Sequence, residues 1–167
     1  LFDFGLSSFH FEASKRGFSF RRDEPLDMRY SQEDLSETAA DILAERRQEE
    51  LRRILKEFGD EPFARAITRE IVRERRHRPI RRTGELVAVV ERATPRWYQK
   101  RRIHCATRTF QALRIAVNHE FENISRGLGE AQSVLAPDGR IVTIAFHYRE
   151  DALVKQFFRQ PEIRARF

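Results

Sequence analysis

The 167-residue sequence contains a single cysteine, Cys105. One cysteine cannot form an intramolecular disulfide, and it cannot supply the sulfur ligands of a structural zinc site. The five histidines show no spacing typical of metal ligands, so we expect no metal centre. So little cysteine is typical of proteins from a reducing compartment.

Long apolar runs are also missing. None approaches the roughly 20 residues of a membrane span, and no signal peptide is recognisable. We therefore expect a soluble, cytoplasmic protein with no membrane partner. A glycine-rich phosphate loop is missing too, because Gly127-Leu128-Gly129 lies inside a helical pattern and not after a strand.

Charge, by contrast, is abundant. Charged residues make up 35% of the sequence, the net charge is +6, and most of the positive charge is arginine. This balance favours a polyanionic partner such as nucleic acid, although a bias toward arginine can also reflect genome composition. The 14 phenylalanines indicate a folded chain rather than a disordered one.

The first residues predict the end of a buried strand, Leu1–Phe4, with Asp3 at the point where the strand gives way to a polar turn. In open α/β folds, ligands bind beyond the carboxyl ends of the strands, so Asp3 is a candidate site residue. The apolar run Ile141–Phe146 predicts a parallel strand buried on both faces. Since two strands do not make a stable sheet, we expect further strands in the complete fold.

Helical patterns dominate the middle of the chain. After a long ordered loop over residues 6–30, Ser36 is predicted to cap a helical subdomain that runs to about residue 92. Apolar residues spaced by three and four predict one helix that ends at Gly59, a second through Ile67 and Ile71, and a third from Thr83.

A basic, aromatic loop follows over residues 96–102. The apolar pattern from Phe110 to Leu135 then predicts one helix or two collinear helices. Pro137-Asp138-Gly139 predicts a turn before the second strand, and Leu153–Phe158 predicts a helix after it. The order of strand, helical subdomain, helix, strand and helix predicts an α/β protein with an α-helical insertion.

Two basic segments leave alternatives open. Between Arg16 and Arg22, phenylalanines alternate with arginines, which suits stacking on an unpaired base, but the same phenylalanines could anchor the loop in the core. Arginines at positions 65, 69, 73 and 76 share one helix face. That face could be solvated and paired with Glu70 and Glu74, or it could contact phosphates together with further arginines at 78, 81 and 82.

Four sequence blocks carry a resemblance to a known family. The blocks are Asp3-Phe4-Gly5-Leu6-Ser7-Ser8; Arg16-Gly17-Phe18-Ser19-Phe20 with Pro25-Leu26-Asp27-Met28-Arg29; Ala106–Asn118; and, more weakly, Phe146-His147 with Glu150-Asp151 and Val154-Lys155. In order and spacing, they resemble the bacterial small-subunit (16S) ribosomal RNA cytosine-N4 methyltransferases over nearly the whole chain.

The resemblance implies a partial Rossmann-like core that uses S-adenosylmethionine, formed by residues 1–31 and 103–167, with an all-α insertion at 32–102. It implies N4-methylcytidine in the decoding region as product and ribosomal RNA of the small subunit as partner. It also implies that the cofactor's glycine-rich loop precedes this sequence and that the closing strands follow it. We therefore expect no measurable cofactor binding by these 167 residues alone.

The resemblance also implies roles for particular residues. Asp3 matches a cofactor contact, and Ser7 and Ser8 are further candidates at the catalytic edge. His10 stands where the family has a cofactor-binding glutamine. The residues implied in RNA binding are Arg16, Phe18, Phe20, Arg21, Arg108 and Arg114.

Three departures from the family pattern leave other functions open. Phe9-His10 replaces the usual Pro-Gln, Cys105 replaces a proline, and Tyr148-Arg149 replaces Ser-Leu. The first and third changes fall at the expected active edge. A noncatalytic RNA-binding module and an inactive remnant therefore stay as alternatives to an active methyltransferase.

Overall fold

The computed structural model describes residues 1–5, 7–35, 37–136 and 138–164. Over these residues the chain is mostly helical, with one small parallel sheet, which is consistent with a partial α/β fold. The strands are β1 (Phe2–Asp3) and β2 (Thr143–Ile144), and the helices are α1 (Ser8–Glu12), α2 (Ala39–Glu45), α3 (Gln48–Gly59), α4 (Ala64–Glu74), α5 (Thr83–Ala93), α6 (Arg96–Gln99), α7 (Thr107–Asn118), α8 (Glu120–Val134), α9 (Tyr148–Arg159) and α10 (Pro161–Arg164). None of the helices in these four stretches is long and apolar enough to cross a membrane.

The chain divides into two compact units. The first unit contains residues 1–7 and the residues from 119 onward, and the second contains residues 8–118. The boundaries predicted from the sequence lie elsewhere, at 31/32 and 102/103. The division into a methyltransferase core and an insertion therefore stays a prediction.

The first unit contains the sheet. Strands β1 and β2 run parallel, with Phe2 paired to Thr143 and Asp3 paired to Ile144. The amide of Phe4 donates to the carbonyl of Ile144 at 3.1 Å, which continues the ladder by one bond. The predicted parallel direction of the second strand is confirmed.

The predicted burial of the second strand on both faces is wrong for the residues described. The strand covers two residues of the predicted run 141–146, and the side chains of Val142, Ile144 and Phe146 are exposed. Their alternate spacing places them on one side of the strand, where no other described element covers them.

Helices α8, α9 and α10 supply the core of this unit. Phe2 of β1 and Phe4, which follows the strand, are partly buried and pack against this core. The core is formed by Ile124, Leu128, Val154, Phe157 and Ile163. The predicted helix through Leu153–Phe158 is confirmed as α9.

The second unit is helical, and its main contact joins α3 to α7. Helix α3 ends at Gly59, as predicted, because Asp60 takes a left-handed conformation with φ 46° and its amide bonds back to Leu55. Helix α5 begins at Thr83, as predicted, although the cap residue is Arg82. These ends follow local signals that the sequence displays directly.

Three predicted segments differ from the structure. The predicted loop over residues 6–30 contains the short helix α1, and the predicted basic loop contains α6, a single turn. The pattern from Phe110 to Leu135 is two helices, because His119 takes a left-handed conformation with φ 49° between α7 and α8. The predicted cap Ser36 and the Pro137 of the predicted turn lie outside the described residues, as does Leu6.

Candidate active site and nucleic-acid interface

Asp3 lies at the carboxyl end of β1, where the sequence predicted a site. Its side chain is exposed, and its Oδ1 accepts a hydrogen bond from the amide of Gly5 at 2.9 Å. Among the described residues, Oδ2 has no hydrogen-bond partner, so it is available to a ligand. The Gly5 bond fixes one oxygen of the carboxylate relative to the end of the strand.

Gly5 leaves space beside this carboxylate. A Cβ atom at position 5 would lie 2.7 Å from the ring of Phe146 and 2.9 Å from Asp3 Oδ1. A side chain at position 5 would displace the ring of Phe146 or the carboxylate of Asp3, so glycine allows this close arrangement of the two groups. The ring of Phe146 is itself 71% exposed.

The turn after β2 is held by a buried carboxylate. Glu150, 2% exposed, accepts hydrogen bonds from the amides of Phe146 at 2.9 Å and His147 at 3.0 Å. His147 caps α9, and its ring accepts a bond from the amide of Arg149. This reciprocal cap fixes Phe146 beside the end of β1. The sequence analysis missed the role of Glu150, although His147 and Glu150 have the spacing of a capping box.

The two predicted serines receive little support as active-site groups. Ser7 is exposed at the end of the first unit, and Ser8 begins α1 in the second unit. The side chain of Ser8 lies outside what the structure describes. Neither serine is shown in contact with Asp3, and their roles stay predictions.

His10 lies in an aromatic cluster of the second unit. Its ring centroid is 5.1 Å from both Phe18 and Tyr30, and those two rings stack at 5.6 Å. Burial, and then the positive charge of Arg16, lower the pKa of His10 below its ordinary value. The buried Nδ1 has no hydrogen-bond partner among the described residues, so a neutral ring retains an unused polar atom.

Phe18 and Phe20 are both packed against other rings. Phe18 is 5% exposed, as expected if it anchors the loop in the core. Phe20 is half-buried, with His104 at 4.7 Å and Phe110 at 5.1 Å between ring centroids. Arg21 is exposed beside them. Phe20 and Arg21 line a groove of about 600 Å³, together with Phe11, Glu12, Phe18, Ser19, Arg22, Glu24 and Thr107.

Arg16 supports the fold of its own loop. One guanidinium nitrogen donates to the carbonyls of Arg29 at 2.8 Å and Tyr30 at 3.0 Å. Arg29 forms a two-pronged bond to Asp27, at 2.7 and 2.9 Å. Burial alone would raise the pKa of Asp27, but the hydrogen bonds from Arg29 and Gln32 hold it below its ordinary value.

The two predicted RNA-binding arginines of α7 are half-buried. Arg108 donates to the carbonyl of Asp60 at 2.6 Å, and the carbonyl of Arg114 accepts a bond from Asn118. The side chain of Arg108 thus connects α7 to the end of α3. Contact of either arginine with RNA stays a prediction.

The arginine face of α4 is partly neutralised. Arg73 pairs with Glu70 at 2.5 Å, and Arg78 pairs with Glu74 at 2.9 Å. Arg92 of α5 bridges both acids, with Glu70 at 2.9 Å and Glu74 at 2.6 Å. Of the four arginines on the predicted face, Arg73 alone shows the expected pairing with these glutamates among the described residues. Arg65, Arg69 and Arg76 have no ion-pair partner among the described residues.

Two clusters of titratable side chains are not indicated by the sequence. Glu61 is fully buried and accepts bonds from the amide of Phe63 at 2.9 Å and the hydroxyl of Tyr98 at 3.1 Å. Burial raises the pKa of Glu61 despite these bonds, and burial together with Glu61 raises the pKa of Tyr98 to about 12. The contact spans 37 residues, so no local pattern could have indicated it.

The second cluster joins Glu91, His104 and Cys105, whose candidate ligand atoms lie within 4.8 Å of one another. The amide of Ala106 donates to Nδ1 of His104, which leaves the proton of a neutral ring on Nε2. Burial also raises the pKa of Cys105. Both features oppose metal ligation, because a metal needs an unprotonated nitrogen and a thiolate.

Comparison with known proteins supports the family resemblance. The model of the MraW methylase family matches residues 1–166. The chain is 45% identical over 160 residues to "Ribosomal RNA small subunit methyltransferase H" of Nitrosococcus oceani, covering 96% of this chain and 50% of that protein. Proteins of the same name from Geobacter sulfurreducens and Methylococcus capsulatus are each 49% identical, over 96% and 95% of this chain and 51% and 52% of theirs.

The chain spans about half the length of the curated relatives it matches. Within that half, the match includes Asp3 and Gly5 at the end of β1 and Phe146 after β2. The order of the sequence blocks, the parallel pair of strands and the family match agree. The chain belongs to the MraW methylase family.

Proposed function

We propose that the protein carrying this chain transfers a methyl group from S-adenosylmethionine to the N4 amino group of a cytidine in small-subunit ribosomal RNA. The observation that carries the proposal is the strand end of a family member: an exposed Asp3 carboxylate, fixed by Gly5 and placed beside Phe146. The names of the relatives support RNA of the small ribosomal subunit as substrate.

The residues at this strand end fit part of a site for S-adenosylmethionine. Gly5 keeps open a space that a Cβ atom would fill, and Asp3 offers an acceptor oxygen with no described partner. An exposed aromatic ring, Phe146, lies on the other side of that space. When bound, S-adenosylmethionine supplies an electrophilic methyl group on a sulfonium sulfur.

The chain's own contribution to the chemistry is to position the base amino group. The N4 lone pair of cytosine is delocalised into the ring, so the amino group is a poor nucleophile. An acceptor that holds an amino hydrogen draws the lone pair out of conjugation and orients it for attack. We assign this role to Asp3, with Ser7 and Ser8 as candidate additional acceptors. The amino proton is lost to such an acceptor or to water as the new N–C bond forms.

Recognition of the RNA is assigned to the second unit. Phe20 and Arg21 line an open groove, where an extruded base could stack while the guanidinium meets a phosphate. Phe18 and Arg16 stabilise this loop, because Phe18 is buried and Arg16 donates to backbone carbonyls. Arg108 and Arg114 are assigned to the same interface, and His10 to a cofactor contact because it stands where the family has a cofactor-binding glutamine.

The resemblance to the family supports a proposal for the complete architecture. We propose a Rossmann-like core built in part from residues 1–31 and 103–167, with residues 32–102 as a helical insertion. We also propose that the protein acts in the cytoplasm, where small ribosomal subunits are assembled and modified.

Analysis of the modified nucleoside tests this function. The matched segment of the Geobacter sulfurreducens relative is replaced by this chain, and the chimera is expressed in bacteria that lack their own enzyme of the family. Nucleosides from small-subunit RNA are then identified by mass spectrometry. We expect N4-methylcytidine, as in cells that express the unmodified relative.

A folded chimera that leaves the cytidine unmethylated, or methylates carbon 5 instead, would overturn the proposal. If such a chimera still bound the RNA, the noncatalytic RNA-binding module would be the better description. If the chimera bound neither RNA nor cofactor, an inactive remnant would be the better description. Circular dichroism of the purified chimera checks that it is folded.

A further inference from the structure

A small basic pocket lies between α6 and α7, and its lining residue His104 packs against Phe20 of the groove, at 4.7 Å between ring centroids. Its volume is about 180 Å³, and its lining residues are Tyr98, Arg101, Arg102, Ile103, His104 and Arg108. Three of these six carry guanidinium groups, and none is acidic. The whole pocket belongs to the second unit.

The sequence around the pocket contains little negative charge, although Glu91 lies beside it, with its Oε1 3.8 Å from Nε2 of the lining residue His104. Between Glu91 and Glu120 there is no aspartate or glutamate, while the same stretch contains seven lysines and arginines. Arg101 and Arg102 are both exposed, and neither has a carboxylate partner among the described residues. By contrast, ion pairs with carboxylates are formed by Arg73, Arg78, Arg82 and Arg92.

A buried acid, Glu61, lies close enough to the pocket to interact electrostatically with Arg108. Glu61 lies behind Tyr98, and the phenol hydroxyl donates to its carboxylate. Because burial raises the pKa of Glu61, the protonated form extends to higher pH than for an ordinary glutamate. Arg108 is held in place by its hydrogen bond to the carbonyl of Asp60, a neutral acceptor.

Aromatic groups surround the cations. The guanidinium carbon of Arg101 lies 5.6 Å from the ring centroid of Tyr98, and Trp97 packs edge-on against the same ring. Trp97 is 63% exposed, although it also contacts Phe63. An exposed indole beside unpaired arginines is the combination that binds single-stranded nucleic acid, with bases on the ring and phosphates on the cations.

We propose that this pocket binds a backbone phosphate of single-stranded RNA, with the adjacent nucleotide stacked on Trp97. The proposal rests on the proposed function, since it places part of the RNA substrate on the chain. The size agrees with it, because about 180 Å³ holds a phosphate group but is below the roughly 300 Å³ at which sites for larger ligands begin. Arg101 and Arg102 supply the charge, and Arg108 supplies a fixed donor.

The only tryptophan of the chain reports on this site directly. Inorganic phosphate is titrated into the purified 167-residue chain at constant ionic strength, with chloride as the matched anion. We expect a saturable change in Trp97 fluorescence with phosphate and none with chloride. Equal responses to the two anions would overturn the proposal.

A second experiment identifies RNA as the source of the phosphate. Binding of a single-stranded oligoribonucleotide is measured by fluorescence anisotropy at several salt concentrations, for the wild type and for Arg101→Gln/Arg102→Gln. We expect the double variant to bind about five- to 25-fold more weakly near 0.1 M salt, with a salt slope smaller by about 0.7 to 1.4, as for one or two lost phosphate contacts.

The matched control removes the same charge from another exposed arginine pair of the same unit, Arg52→Gln/Arg53→Gln on α3. We expect this control to keep the wild-type salt slope. Equal losses in the two double variants would overturn the proposal, and so would a wild-type chain that does not bind the oligonucleotide. A failure of the proposed function alone gives another result: the chimera would form no N4-methylcytidine, while the 167-residue chain would still show the fluorescence response to phosphate.

Discussion

At the scale of single residues, Asn118 joins the loop at Met28 and Tyr30 to helix α7 in the second unit. It is 2% exposed, and its Nδ2 donates to the carbonyls of Met28 and Arg114, each at 2.8 Å. Its Oδ1 accepts a bond from the amide of Tyr30 at 2.7 Å. The same loop has Met28 in a left-handed conformation with φ 61°, so Asn118 holds backbone groups that the loop cannot pair by itself.

We expect Asn118→Ala to lower the free energy of unfolding by about 2 kcal/mol or more, because buried backbone groups lose their partners. Denaturant unfolding followed by Trp97, which lies in the same unit, measures this change. The control is Gln32→Ala, which removes an exposed amide and its bond to Asp27. Similar losses of unfolding free energy in both variants would contradict a larger contribution from the buried hydrogen bonds of Asn118.

Glu61 gives the stability a pH dependence of known sign. Its pKa is raised by burial, so the folded chain binds this proton more tightly than the unfolded chain does. As the pH rises from about 4.3, the ordinary pKa of glutamate, the unfolded chain loses the proton first. The free energy of unfolding therefore falls with rising pH, and it stops falling above the folded pKa.

We expect Glu61→Gln to remove this dependence. The glutamine keeps an acceptor for Phe63 but has no proton to lose, so the variant gains stability relative to the wild type as the pH rises. The difference between the two unfolding free energies, measured from pH 4 to 8, has a slope of at most about 1.4 kcal/mol per pH unit. Glu57→Gln, an exposed position on α3, is the control and is expected to show no such slope.

At the scale of elements, helices α3 and α7 depend on close contact at a glycine. An ideal Cβ atom at Gly59 would lie 2.4 Å from the carbonyl oxygen of Arg108 and 3.0 Å from the Cβ of Ala112. A backbone oxygen cannot move away as a flexible side chain can. Helix α3 ends at this close contact with α7, so Gly59 contributes both to the end of the helix and to the packing of the two helices.

We expect Gly59→Ala to destabilise the second unit by about 1–3 kcal/mol, the usual cost of overpacking. The matched substitution Gly129→Ala lies in α8, where an added Cβ meets nothing within 4 Å. There the better helix propensity of alanine should stabilise the protein by up to about 1 kcal/mol. Thermal unfolding followed by circular dichroism compares the two. A neutral Gly59→Ala would contradict the close contact.

Element ends and types were predictable where a local signal fixes them. Gly59 marks the end of α3 through a backbone preference that acts within a few residues, whereas Thr83 begins α5 with Arg82 as the cap residue. Helix α6 was not predictable, because four residues carry too little periodicity. The exposure of β2 was not predictable either, since an apolar run looks the same whether or not other elements cover it.

At the scale of the whole molecule, the α/β class and the family were predictable because both depend on the order of elements and motifs. Asp3 was predicted as a site residue because ligands in such folds bind beyond the carboxyl ends of the strands, and the structure places it at the end of β1. Its fixation by Gly5 and the cap formed by Glu150 came only from the structure. The sequence likewise does not show that Arg16 bonds to carbonyls while Arg101 and Arg102 have no described carboxylate partner, because pairing depends on distant residues.

The central claim is that Asp3 belongs to the catalytic edge of a methyltransferase. The most direct test is the kcat/KM of the chimera for small-subunit RNA, compared between the wild-type segment and Asp3→Asn. The control is Asp138→Asn, another exposed aspartate of the same unit. We predict a loss of about 100-fold or more for Asp3→Asn, in the range of a lost catalytic hydrogen-bonding or proton-accepting group, and wild-type kinetics for Asp138→Asn. Unchanged kinetics for Asp3→Asn would contradict the account.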